Sequence, residues 1–372
     1  MMKTLFDKHN LLKLLLIVLS GLIIYIFVSN DAFLYKQPVG KVENVSVKSV
    51  SKTKDTFNNQ DKITVQEVTF KILNGKYRNK IVKLRNTYSR SGGLDQEYKV
   101  GNQVFLTIKK HHGKLNSSIS HYKRDVCLVM LLWLVIVLLY ATMKLNGLKT
   151  LLSVAVNFVV FLIFVQLDVM LNLTHFFWLF AAAAFIFTIL SLWLVIGFNK
   201  QWFVTCASVV SGTVIALLIG LIAMNVTNGK GVHYEALDYA TQSPKQLFLA
   251  ATVIGLLGTV MDAATDIVST LFEMKRTDEK ISERQLFKSG MAVGRSIMGP
   301  LINVLLMIFF AETFTMAILY FKTGNSIAYT FEWTMALGIV QTLVSGIGVT
   351  LVIPCASFLS AKVLGGAQDV ND

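Results

Sequence analysis

Long apolar runs recur along the chain, at residues 14–27, 125–143, 148–167, 174–197, 202–224, 246–271, 299–320 and 332–360. About 20 apolar residues in a helix span a hydrocarbon core of roughly 30 Å, so the pattern predicts about eight transmembrane helices. The last run is long enough to tilt, or to break at Pro354. The first is shorter and follows Lys3, Lys8 and Lys13, as a secretory signal or an uncleaved anchor would. It ends Val28-Ser29-Asn30-Asp31-Ala32, with no cleavage site of small residues, which favours an anchor helix over residues 1–28.

Between the first two runs the pattern changes. Val45 and Val47, then Val68, Phe70 and Ile72, alternate with other positions in the period of a half-buried strand. Asn74-Gly75 follows directly and is a hairpin signal. Further strand-like runs lie at 80–84 and 98–108, separated by Ser91-Gly92-Gly93. Four or five short strands predict a small β domain, an OB-like barrel or a sandwich. The expected fold class is a polytopic α-helical membrane protein with a small extracytoplasmic β domain between helices 1 and 2. Its expected parts are the anchor, the β domain with its linker at 29–122, a seven-helix bundle at 123–360 and a cytosolic tail at 361–372.

Composition agrees. Of 372 residues, 54% are apolar and 15% charged, against about 45–50% and about 25% in soluble proteins. Too few polar side chains exist to face water on every side, which excludes a soluble globular protein. The charge is also concentrated: residues 29–122 hold 17 Lys and Arg against 7 Asp and Glu, a net of +10 out of +13 for the whole chain. Such a surface suits anionic envelope polymers or lipid headgroups, or is a solvated face beside a negative envelope. Nucleic acid is not expected, because no segment interleaves aromatic and basic residues in a stacking pattern.

Lys and Arg in the short loops set the orientation. With the N-terminus inside, the inner segments carry 13 basic residues, including the cluster Lys275, Arg276, Lys280, Arg284, Lys288 and Arg295, while the short outer loops carry Lys230, Lys245 and Lys322. An N-in, C-in protein of the cytoplasmic membrane follows. Cys127, Cys206 and Cys355 all fall in predicted spans, so the β domain must fold without disulfides. His111-His112 with His121 reads as juxtamembrane linker rather than a metal site, and neither metal nor cofactor is expected.

The sixth span carries the most informative pattern. Ala251, Gly255, Gly258, Asp262, Thr265 with Asp266, Ser269 and Glu273 recur at steps of three and four and share one helix face. Small residues admit a second helix, and acids in a span face a bundle interior or a water-filled cavity, so this face is expected to lie in the protein interior. Asp262 is the candidate proton site and Asp266 is expected to pair with Arg295; the alternative is that both merely cap or pair at the helix end. In the next region Gly294, Arg295, Ser296, Gly299 and Pro300 precede Asn303, and Gly-Pro at the start of a span predicts a break that frees backbone groups. Asn303 is expected near the depth of Asp262. Glu312 is a second, separate intramembrane acid, either in an outer-half pathway or structural. Asn157, Gln166, Asp168 and Gln341 read as helix–helix hydrogen-bonding groups or as further lining.

Several activities have no support in the spacing. GxxxxGK[ST], GxSxG and zinc signatures are absent from the sequence, so ATP-driven transport by this chain and the common hydrolase mechanisms are not expected. An intramembrane aspartyl protease needs carboxylates converging from different helices, whereas Asp262 and Asp266 are successive turns of one. No enzyme activity is expected.

With these residues in view, the chain resembles the YibE/F-like family of multi-pass bacterial membrane proteins. The resemblance rests on Gln66-Glu67-Val68 and Gly75-Lys76-Tyr77, on the stretch from Gly258 to Ile267 containing Met261-Asp262 and Asp266, on Gly294-Arg295-Ser296-Ile297-Met298-Gly299 with Asn303, and on Gly346-Ile347-Gly348 before Pro354. The sequence departs from that pattern at Ser296, where an acid is common, and at Pro300, where threonine is common. The resemblance implies a bacterial cytoplasmic membrane location and a permease-like bundle. The residues themselves suggest a permease or exporter, proton-coupled through Asp262, with the bilayer and other membrane proteins as its partners. The alternative is a non-transporting envelope scaffold, assembly factor or receptor whose acidic stripe only fastens helices together.

Overall fold

The computed structural model describes residues 8–365 apart from positions 55, 57, 94, 112–113, 172–175, 230 and 235–242. The chain divides into two compact units, Met1–Lys144 and Leu145–Asp372.

The first unit contains helix α1 (Lys8–Ser29), a short 3-10 turn (Asp31–Leu34), strands β1 (Val39–Lys54), β2 (Gln60–Ile72), β3 (Ile81–Ser89), β4 (Gln103–His111) and β5 (Lys114–Tyr122), and helix α2 (Asp125–Met143). The strands form one antiparallel sheet in the order β3-β2-β1-β4-β5. Alternation in β2 puts Val68, Phe70 and Ile72 on one face, where they are fully buried with Val42, Val104 and Leu106. In β1 a bulge between Val42 and Asn44 shifts the alternation by one residue. Val42 and Val45 therefore both face the core although three apart, whereas Val47, farther along the strand, is exposed. The Gln66-Glu67-Val68 segment divides its work. Buried Gln66, its amide oriented by its partners, exchanges hydrogen bonds with the backbone of Tyr98, Glu67 pairs with Lys48 at 2.9 Å, and Val68 enters the core.

The hairpin signalled by Asn74-Gly75 joins β2 to β3, which pair antiparallel, and its connection runs from Leu73 to Lys80. Gly75 takes positive φ (72°), and the buried Asn74 amide serves the preceding segment, accepting from Val39 N at 2.7 Å and donating to the carbonyls of Tyr35 (2.8 Å) and Gln37 (3.1 Å). Residues 114–122, read as linker, are strand β5. His111 and His121 lie in strands, while His112 lies outside the described residues.

Where the sheet meets the helices, a charged cluster is buried. Lys123, its side chain 1% exposed, lies 2.7 Å from Asp31 and 2.7 Å from Asp125, and its ammonium also donates to the Val28 carbonyl at 2.9 Å. The Tyr35 hydroxyl donates to Asp125 at 2.8 Å. Burial, and then the Asp125 and Asp31 carboxylates, hold the Tyr35 phenol well above the ordinary tyrosine range. One ammonium thus ties the end of α1, the segment before β1 and the start of α2 together. The helices also touch directly: the Trp133 indole lies against Gly21 and donates to Ser20 Oγ at 3.2 Å.

The second unit contains α3 (Leu145–Leu171), α4 (Phe176–Ile196), α5 (Lys200–Val226), α6 (Pro244–Thr277), α7 (Glu283–Lys322) and α8 (Ile327–Gly365), the last with a π-helical turn at Phe331–Met335. Among the described residues, seven helices, α2–α8, are long and apolar enough to cross a membrane, and α1 adds a shorter apolar segment, Leu15–Ser29. Helix α2 lies in the first unit, and six of the described helices, α3–α8, lie in the second. Helices α5, α6 and α7 all pack along α8. Close approach is made at glycines: Gly348 of α8 lies under Leu256 and Val260 of α6, and Gly294 of α7 under Ile353 of α8.

The expected break at Gly299-Pro300 does not occur. Helix α7 starts at Glu283, where Ser282 Oγ accepts from Gln285 N at 3.3 Å, and runs 40 residues with Pro300 inside it. Pro354 likewise sits within α8. A proline removes one helical hydrogen bond, but packing of the preceding turns against a neighbour keeps the axis continuous. Here Gly294 against Ile353 and Met298 against the Thr350 hydroxyl hold α7 to α8.

Candidate functional site: the polar face of α6

Helix α6 has two faces of the same period. Val253, Leu256, Val260, Ala263, Ala264, Ile267 and Leu271 are buried against the rest of the unit. The opposite face carries Gly255, Gly258, Asp262 and Asp266, all exposed, with Thr265 and Ser269 half-buried. The acidic face therefore does not lie in the interior of the second unit, contrary to expectation. Both faces satisfied the three-and-four spacing. The apolar one packs inward because Gly348 of α8 accepts Leu256 and Val260 side by side. On the outer face, Gly255 has the Gln341 amide of α8 as its near neighbour, and a side chain added at Gly258 would meet open space.

The polar file continues toward the end of α6. Asp262, Asp266, Ser269 and Glu273 follow at steps of four, three and four, a rise of roughly 16 Å. The hydroxyls of Ser269 and Thr270 donate to the Asp266 carbonyl at 3.2 and 2.7 Å. The file ends at a cavity of about 460 Å3 lined by Ser269, Phe272, Glu273 and Arg276 of α6 and by Asn199, Lys200 and Gln201 at the start of α5. Arg276 pairs with Glu273 at 3.1 Å, and Asn199 caps α5, accepting from Trp202 N at 2.8 Å. The mouth thus offers a carboxylate, a guanidinium and an ammonium together with neutral hydrogen-bonding groups.

The other expected site residues are not gathered around Asp262. Arg295, Asn303 and Glu312 of α7 are each exposed, and among the described residues Asp266 and Arg295 form no ion pair. Gly294 is buried against α8, while Gly299 and Pro300 lie on the outer face of α7. Asn157 of α3 hydrogen-bonds Ser191 of α4, a helix–helix contact, Asp168 is half-buried and Gln166 is exposed. No group of three or more His, Cys, Asp or Glu among the described residues could hold a metal ion.

Sequence reasoning missed two groups in this unit. The contribution of Asn199, Lys200 and Gln201 to the cavity comes from the packing of α5 on α6, which no local pattern announces. The second is where α8 begins: the π-helical turn presents Glu332 and Trp333 to His233, the imidazole lying 2.7 Å from the carboxylate and stacked on the indole with centroids 4.2 Å apart. Aromatic residues near the start of the last run were the available signal.

Comparison with known proteins fits this architecture. The YibE/F-like protein family matches residues 131–366, and the YibE/F family N-terminal domain matches residues 33–122. No curated protein and no solved structure matches the chain. A sheet domain followed by a run of apolar helices, with both family matches in that order and covering most of the sequence, establishes that the chain belongs to the YibE/F-like family.

Proposed function

We propose that this protein is a proton-coupled permease or exporter whose polar route runs along the outer face of α6. One observation carries the reading: the file Asp262, Asp266, Ser269, Glu273 is continuous and ends in the charged cavity at the start of α5. An aspartate at the centre of a span costs about 2.5–3.5 kcal/mol in lipid, so Asp262 would cost up to about that much if it faced acyl chains, and Asp266, one turn nearer the end of the span, less. The face is therefore wetted or covered by a surface from outside the second unit. Water along it, with protonatable groups at each turn, is what a proton route needs.

A second reading, a non-transporting scaffold or receptor, draws support from the same exposure. Gly258 leaves room for a partner helix whose polar groups would meet the two aspartates. Cysteine accessibility separates the readings. In a background lacking the three native cysteines, single cysteines at 258, 262, 266 and 269 are treated with a membrane-impermeant maleimide. A transport route predicts reaction at these four and none at 263, 264 or 267. A face unreactive throughout would refute the route and leave the scaffold.

The remaining parts of the reading rest on charge and topology. Retention of Lys and Arg inside supports an N-in, C-in protein of the bacterial cytoplasmic membrane with eight crossings, α1 included, and an extracytoplasmic sheet domain. The strand order β3-β2-β1-β4-β5, with a long bulged β1 paired to β2 along its length and to β4 at its start, supports an OB-type domain left open between β3 and β5. Its basic face suits anionic envelope polymers or other membrane proteins. The chain is read as non-enzymatic and free of cofactors.

A further inference from the structure

A cavity in the first unit has a different chemistry from the α6 face. It holds about 750 Å3 and lies where α1 ends and α2 begins. One wall is polar and basic, with Lys41 of β1, Tyr122 of β5 and Arg124 just before α2. The lining is apolar at Leu128 and Met130 on the first turns of the membrane-length helix α2, and Tyr25 of α1 also lines it.

The charges are uncommitted. Lys41 and Arg124 are exposed, and neither has an ion-pair partner among the described residues. The third cation at the cavity, Lys123, is already held by Asp31 and Asp125, and no described acidic residue lines the space. Two free cations at the end of two apolar helices, with one wall passing into membrane-facing surface, match an amphiphile that carries its negative charge at the head.

We propose that this cleft binds the phosphate headgroup of an anionic glycerophospholipid. Lys41 and Arg124 hold the phosphate, Tyr25 and Tyr122 flank it, and an acyl chain follows α2 past Leu128 and Met130. Bound there, the lipid links β1 and the start of α2 to the bilayer surface beside the Lys123 cluster.

The full chain is reconstituted in bilayers of phosphatidylglycerol and phosphatidylcholine, extracted in mild detergent, and the retained lipid is measured by mass spectrometry. Wild-type protein is expected to keep phosphatidylglycerol over phosphatidylcholine, and Lys41→Gln with Arg124→Gln to lower that retention roughly tenfold. The charge-matched pair Lys52→Gln with Lys54→Gln, on the exposed end of β1, should leave it unchanged. Equal retention of the two lipids by wild type, no loss in the Lys41/Arg124 variant, or an equal loss in the Lys52/Lys54 variant would each overturn the site.

Discussion

Replacing Lys123 by Met should unlock the first unit where its helices meet the sheet. The ammonium is buried and holds three partners, Asp31 and Asp125 at 2.7 Å each and the Val28 carbonyl at 2.9 Å. Methionine fills similar volume, so the loss is electrostatic: two carboxylates, with side chains 7% and 22% exposed, remain side by side without a counter-charge. Removing one partner of a buried ion pair costs about 3–5 kcal/mol. Asp125 keeps some contact with water, which places the expectation toward the lower end. Hydrogen exchange by mass spectrometry on the full chain in detergent reads the effect locally. Amides of β4, β5 and the start of α2 should exchange roughly 100-fold faster, because each 1.4 kcal/mol is a factor of ten in an opening equilibrium. Adding Asp31→Asn and Asp125→Asn to the variant should restore most of the protection, since a neutral polar cluster no longer holds uncompensated charge. Exchange within a few-fold of wild type in Lys123→Met alone would refute the assignment of this cluster as the lock.

Two further outcomes follow from the packing. The Tyr35 phenol is raised above its ordinary value of 10.0, so folding favours its protonated form; the stability it contributes is complete below that value and is lost as pH rises beyond it. Tyr35→Phe should flatten that alkaline loss in hydrogen exchange of the first unit, and an unchanged slope would remove Tyr35 as its source. Gly294→Leu should force α7 from Ile353 of α8 and destabilise the second unit by about 1–3 kcal/mol or more, read as a lower melting temperature in detergent; unchanged melting would contradict the close approach.

Much of the fold was legible because it depends on local periods. The run at 125–143 coincides with α2, Asp125–Met143, and the alternation of Val68, Phe70 and Ile72 gave strand β2. Strand β5 was not legible: Lys114–Tyr122 has few β-branched or aromatic residues, and its conformation comes from the ladder with β4. Asn74-Gly75 marked the β2–β3 hairpin, but the length of its connection was not legible, because the asparagine side chain bonds distant backbone groups, a use no dipeptide rule encodes. The α6 face was correctly identified as one polar stripe, but its direction depends on which of two equally periodic faces finds a glycine on the neighbouring helix. That is a property of α8, not of α6. The Lys123 cluster was invisible for a related reason, since its two acids stand at positions 31 and 125, on either side of the sheet in sequence.

A proton route along α6 is read out by proton movement across a membrane. Purified full-length protein is reconstituted in liposomes with a trapped pH dye, a potential is imposed, and a panel of candidate solutes is added to wild type and to Asp262→Asn. Solute-dependent proton flux is expected in wild type and lost in Asp262→Asn while the variant's melting temperature is retained. Solute-dependent flux that persists undiminished in the correctly folded variant would contradict a route through Asp262.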